Sequence, residues 1–185
     1  MKKQVEFGQL ANLFPAPVVL VTSKLGEKEN VLAIAWCGVV CSMPPLISIS
    51  VRPGRYSNEL IKKSNEFVVN VPSEKMLEEI DKVGAVSGKE VNKFELFGLK
   101  REKAEKVQAP VLADCLVALE CRVKQTLSLG THDCFIAEIV SARADEKVLS
   151  NGEIDFFKLK PIVLLHSEYW NLGEKIEEYG FSKKQ

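Results

Sequence analysis

Apolar and polar positions change over in short runs along most of this chain, and turn residues bound the runs. Val18–Thr22, Val31–Trp36, Leu46–Val51, Phe67–Val71 and Ile162–Leu165 are compact and rich in β-branched residues, the pattern of buried strands. Pro15 and Pro17 bracket the entry to the first run, and the polar segment SKLGEKEN turns it back toward the second. Ala113–Thr126 alternates through Cys115, Val117, Leu119, Cys121 and Val123, and His132–Ala142 follows across SLGT, which predicts a long hairpin. Asn151-Gly152 marks a further tight turn. Cys37–Met43 is short and irregular in pattern, and Pro44-Pro45 restarts the chain. Residues 1–12 read as a polar lead-in or short helix, and residues 100–109 as a charged surface loop.

Helical spacing is sparse. SNELIKK opens one helix at Ser57, and Ser73 caps a second, with Met76, Leu77, Ile80 and Val83 on one apolar face and Gly84 at its end. VSGKEVNKFELFG predicts a loop and then a helical turn. Six or seven strands with few helices between them, several following one another directly, argue for an antiparallel barrel, mainly β with short helices. The tail HSEYWNLGEKIEEYGFSKKQ ends in charge, although Tyr169 and Trp170 require burial somewhere.

Composition narrows the classes. A chain of 185 residues suits a single domain spanning 1–185. Lys+Arg and Asp+Glu are equal at 25 each, so no global charge favours nucleic acid or an anionic membrane. No apolar run reaches membrane-spanning length, and MKKQVEFGQL lacks a signal-peptide core. Five cysteines, an odd number, do not suggest a disulfide framework, which makes a reducing cytoplasm the expected compartment.

The candidate chemistry centres on residues 30–73. There RPGRYS carries the chain from a strand end onto a helix N-terminus, where unpaired N–H groups and the positive dipole end hold anions. Arg52 and Arg55 flank that point, and Tyr56 and Ser57 add hydroxyls, so a phosphate site is one reading. Ser57 is equally a good N-cap and Pro53-Gly54 an ordinary turn pair. No Gly-x-Gly-x-x-Gly follows a strand, and the P-loop and Gly-x-Ser-x-Gly motifs are missing. Cys37 and Cys41 lack a second cysteine pair and read as buried apolar residues rather than metal ligands. Of two histidines, His132 opens a strand near a pocket mouth, and His166 ends an apolar strand as a structural residue. A phosphate cradle, an apolar barrel and little acid–base machinery suit a protein whose cofactor does the chemistry.

In the order and spacing of NVLAIAWCGVVCSMPPLISISVRPGRYSNELI, FVVNVPS, SGKEVNKFE, APVLADCLVALECRV and GTHDCFIAEIV, the chain resembles the flavin reductase-like family of FMN-binding split barrels, flavoredoxins among them. The resemblance implies a homodimer of Greek-key antiparallel split β-barrels with FMN near the subunit interface and NADH or NADPH as reductant. It also implies electron delivery to a redox protein partner or to free flavin; a non-catalytic FMN-binding module for storage or sensing is the alternative. Ala35, Trp36 and Cys37 would lie along the flavin ring, with Ser42 offering a polar contact. The loop Ser50–Ser57 would hold the ribityl phosphate through Arg52, Arg55, Tyr56 and Ser57. Ser87-Gly88 would close over the cofactor, Lys93 would reach the phosphate, and His132 would line the nicotinamide side. Many relatives carry Ser, Thr or Asn where this chain has Trp36 and Cys37.

Overall fold

A computed structural model describes residues 2, 3 and 14–183. The expected lead-in over residues 1–12 therefore lies, apart from residues 2 and 3, outside the described residues. In chain order come β1 (Ala16–Pro17), the hairpin of β2 (Val19–Leu25) and β3 (Lys28–Ile34), and the hairpin of β4 (Cys37–Cys41) and β5 (Leu46–Val51). Helix α1 (Tyr56–Ser64) leads into β6 (Glu66–Val71), after which α2 (Leu77–Ala85) and α3 (Lys93–Leu96) form one connection. The two-residue strands β7 (Arg101–Glu102) and β8 (Val111–Leu112) precede the long hairpin of β9 (Val117–Ser128) and β10 (Asp133–Ala144). A small ribbon of β11 (Leu149–Ser150) and β12 (Glu153–Ile154), helix α4 (Phe156–Leu159), and the pair β13 (Ile162–Leu165) and β14 (Glu168–Asn171) finish the fold.

Seven strands make one sheet in the order β3-β2-β6-β9-β10-β5-β4, every neighbouring pair antiparallel. The edge strands β3 and β4 are joined in sequence through Ala35-Trp36, and Ser50 N donates to Trp36 O at 2.9 Å where the chain enters the β4–β5 hairpin. The result is a Greek-key split barrel. Period-two alternation turns Ile47, Ile49 and Val51, Phe67 and Val69, Leu119, Cys121 and Val123, and Phe135 and Ala137 into one interior, and Ile61 of α1 plugs it. Each large side chain buried there contributes about 1.5–3 kcal/mol of transfer free energy. On the opposite face Val18, Leu20 and Val31 pack against Ile80 and Val83 of α2, Phe94 of α3 and Ile162 of β13.

Four expectations need correction. Cys37–Met43 is not irregular: it supplies β4, whose register shift between Val39 and Cys41 breaks the alternation that the sequence would otherwise show. Residues 100–109 are more than a charged loop. Ala104, Val107 and Ala109 are buried against Val68, Val111 and Ala118, and fully buried Glu120 accepts hydrogen bonds from the Glu105 and Lys106 N–H groups and from Arg143. Burial opposes the Glu120 charge, yet those bonds hold its carboxyl below the usual range. Helix α2 begins only at Leu77, after a 3₁₀ turn, and runs past Gly84; Leu77 itself is exposed while Met76, Ile80 and Val83 are buried. His166 sits exposed in the β13–β14 turn at φ 49° and is no packed structural histidine. No helix among the described residues is long and apolar enough to cross a membrane.

Candidate functional site

The chain leaves β5 at Val51 and bends through Arg52-Pro53-Gly54-Arg55 into α1, with Arg55 N donating to Arg52 O at 3.0 Å. Arg55 is the N-cap residue, and no side chain caps the helix. Its first N–H groups are thus left without a side-chain acceptor, which is the condition for anion binding. The bend is held from below. Asn58 Nδ2 donates to Val51 O at 3.1 Å and to Asp133 Oδ2 at 2.9 Å, while Lys62 pairs with Asp133 at 2.8 Å and Ser128 Oγ donates to its other oxygen at 2.8 Å. These partners, Lys62 first and then Ser128 and Asn58, depress the Asp133 carboxyl to about 2.

Beside this bend lies a cleft of about 200 Å³ lined by Ala35, Trp36, Ser50, Arg52, Arg55 and His132 together with Leu32–Ile34 and Val51. The Trp36 and His132 rings lie 4.3 Å apart, tilted by 40°, and His132 Nδ1 is 3.0 Å from Thr131 Oγ1. Partial burial and then the Arg52 charge push the imidazole below its ordinary pKa, so it is largely neutral at pH 7.

Charge pairing singles out the bend. Of the five arginines, Arg101 pairs with Glu29, Arg143 with Glu120, and Arg122 donates to Lys106 O. Arg52 and Arg55 have no carboxylate partner among the described residues. Lys93 is buried, donating only to Val83 O at 2.7 Å, and burial followed by the nearby Arg55 charge lowers its ammonium to about 8. A buried cation with no carboxylate, next to a second unpaired cation, is an arrangement that an anion relieves.

Six sequence-predicted residues thus share one cleft, and the others stand elsewhere. Ser57 lies fully buried within the first turn of α1, where its Oγ accepts from Asn30 Nδ2 at 2.9 Å and from Ser23 Oγ at 3.3 Å. Cys37 packs against the barrel interior, and burial drives its thiol to about 12. Ser42 is exposed in the β4–β5 turn, at the far end of that hairpin from Trp36. Tyr56 and Gly88 line a second cleft next to the bend, and Ser87 begins the same turn.

Sequence reading missed Asn30. It donates to Ser57 Oγ and lies close against the turn at Gly88, where an added Cβ would collide with the Asn30 side chain. Placed at the end of the polar segment SKLGEKEN, it looked like one more turn residue. Missed too was Asp133, whose role depends on α1 and β10 meeting, 75 residues apart for the Asn58 contact.

Comparison with known proteins agrees with this fold. The family model described as the flavin reductase-like domain matches residues 11–173. A protein of Archaeoglobus fulgidus is 35% identical over 131 residues, 71% of this chain and 73% of the relative. The flavoredoxin structure from Methanosarcina acetivorans superposes with a TM-score of 0.91 at 31% identity, covering 100% of this chain and 98% of that one. The flavoredoxin of Desulfovibrio vulgaris (Miyazaki F) gives 0.90 at 30% identity, with 100% of both chains covered.

Proposed function

The chain belongs to the flavin reductase-like family, and from that premise we propose that it binds FMN and moves hydride from NADH or NADPH through it. A flavin-linked oxidoreductase role comes with the family and its flavoredoxin neighbours. The observation that carries the finer reading is the cationic group at the uncapped start of α1. Arg52 and Arg55 have no carboxylate partner, and buried Lys93 stands close behind. A ribityl phosphate fits that donor set: two guanidinium forks, an ammonium and free helix N–H groups.

In this reading FMN supplies the two-electron acceptor ring, and the residues of the chain bind and orient. Arg52 and Arg55 hold the phosphate. Ala35, Trp36 and Ser50 line the ring, and the neutral His132 beside Trp36 gives the nicotinamide an aromatic surface without adding charge. Lys93 balances the phosphate from the interior side. Electrons then leave to a redox protein partner or to free flavin, as the likeness to flavoredoxins favours.

The cleft in one chain, about 200 Å³, falls below the roughly 300–1,000 Å³ of a complete ligand pocket. Next to it β4 and the turn that follows present Val39, Val40 and Met43 at 77%, 51% and 86% exposure. Both facts favour a homodimer in which a second copy covers β4 and completes the cleft.

The absorption spectrum of the purified protein, followed by anaerobic addition of NADH or NADPH, tests the proposal. The expected result is a flavin band, present as purified or on adding FMN, that bleaches with one or both nicotinamides. Failure to take up FMN would overturn it. A bound band that neither reductant bleaches would leave the storage or sensing role instead.

A further inference from the structure

The aromatic pair in the first cleft joins two separate elements. Trp36 comes from the corner between β3 and β4, and His132 from the turn just before β10. Both backbones are fixed. Trp36 O accepts from Ser50 N at 2.9 Å, and Cys37 N donates to Ala35 O at 3.0 Å, which closes a three-residue turn around Trp36. His132 O accepts from Leu129 N at 3.0 Å, and the next residue, Asp133, is held by Asn58, Lys62 and Ser128. Only rotation of the side chains can part the two rings. Trp36 is 43% exposed, so its indole has room to swing outward.

The ring centroids stand 4.3 Å apart, whereas a third ring stacked between them needs about 7 Å, twice an ordinary contact distance. We propose that the pair is a cover that sets acceptor specificity, closed against flat aromatic molecules and opened by the nicotinamide coenzyme; this rests on the FMN reading above, in which the flavin ring lies beside Ala35, Trp36 and Ser50. Opening the cover costs the attraction between the two rings. A nicotinamide coenzyme offsets that cost with contacts made by the rest of the molecule, away from the reacting ring. A lone aromatic ring has no such contacts to add. A second flavin has none either, because the phosphate site is already taken. Quinones, nitroaromatics and free flavin are therefore poor acceptors, and of the two outlets for electrons the cover favours the redox protein partner.

The experiment compares FMN-loaded wild type with Trp36→Ser and His132→Ala, which remove the cover from either side. Benzamide, a neutral ring that accepts no electrons here, is titrated into each protein and followed through the flavin band. In the wild type it is also followed through the indole NMR signal of Trp36, one of two tryptophans and identified by its loss in Trp36→Ser. 4-Nitrobenzamide then serves as acceptor with NADH, its nitro group taking a hydride and a proton to give the nitroso compound and water. Benzamide is expected to bind both variants at least about tenfold tighter than wild type, and kcat/KM for 4-nitrobenzamide relative to that for NADH to rise by a similar factor. In the wild type, whatever benzamide binds should shift the Trp36 indole. Equal benzamide affinities and equal ratios in all three proteins would overturn the cover alone, provided the wild type takes up FMN. Weaker benzamide binding in the variants, or a Trp36 indole unmoved by bound benzamide, would overturn it too, since the pair would then be a stacking platform or a bystander. A wild type that takes up no FMN would overturn the flavin reading and the cover with it.

Discussion

In the proposed reading Arg55 is the residue on which phosphate recognition turns. Removing its guanidinium forfeits a charge-assisted contact, so Arg55→Ala is expected to weaken FMN binding by about 1.5–3 kcal/mol; unchanged flavin-fluorescence titration would contradict this. Lys93 adds a pH dependence. In the free protein its ammonium, facing Arg55 and the Val83 carbonyl, loses its proton at about 8. A bound phosphate favours the charged form, so binding takes up a proton as pH rises through that value. FMN affinity should therefore fall above pH 8, by up to about tenfold per pH unit, while Lys93→Met binds more weakly with a flatter profile. Equal slopes in isothermal titrations of both proteins would contradict it. At this scale the sequence was partly legible. Arg52, Arg55 and His132 announced themselves through turn and motif, and they meet in the cleft with Trp36 and Ser50. Ser57 did not, because a serine at a helix start looks the same whether it caps the helix or lies buried in its first turn against Asn30.

The element that positions the bend is α1, and Asp133 fastens it to β10. The folded-state pKa of Asp133 is lowered to about 2 from an ordinary 3.8. Its contribution is therefore complete above about pH 4 and is lost as pH falls from 4 through 2. Thermal unfolding of wild type and Asp133→Asn should show the variant less stable at pH 7 and the two curves converging near pH 2; a constant gap across that range would contradict the linkage. Elements with plain alternation, β5 above all, fall where the residue pattern predicts. β4 escaped because its bulge spoils the period, and the 103–109 segment because its burial comes from three small apolar residues and a distant Glu120. Neither a register shift nor a partner more than ten residues away is written in local spacing.

For the whole molecule, the exposed apolar edge of β4 and the incomplete cleft point the same way. If the proposed homodimer forms, Val40→Glu is expected to shift sedimentation from dimer to monomer and to weaken FMN binding together, because one surface would serve both; a wild type that sediments as a monomer with FMN bound would contradict the shared site. The barrel architecture was readable from strand order. The size of the cleft was not, because it is set by how two hairpins and a helix start converge.

The most direct measurement is a paired titration of the apo-protein with FMN and riboflavin, which differ in the phosphate alone. Two unpaired guanidinium groups and an ammonium at a helix start predict FMN binding at least about a hundredfold tighter than riboflavin, with the gap lost in Arg52→Ala/Arg55→Ala. Riboflavin bound as tightly as FMN by the wild type would show that the bend at residues 52–57 does not hold the phosphate.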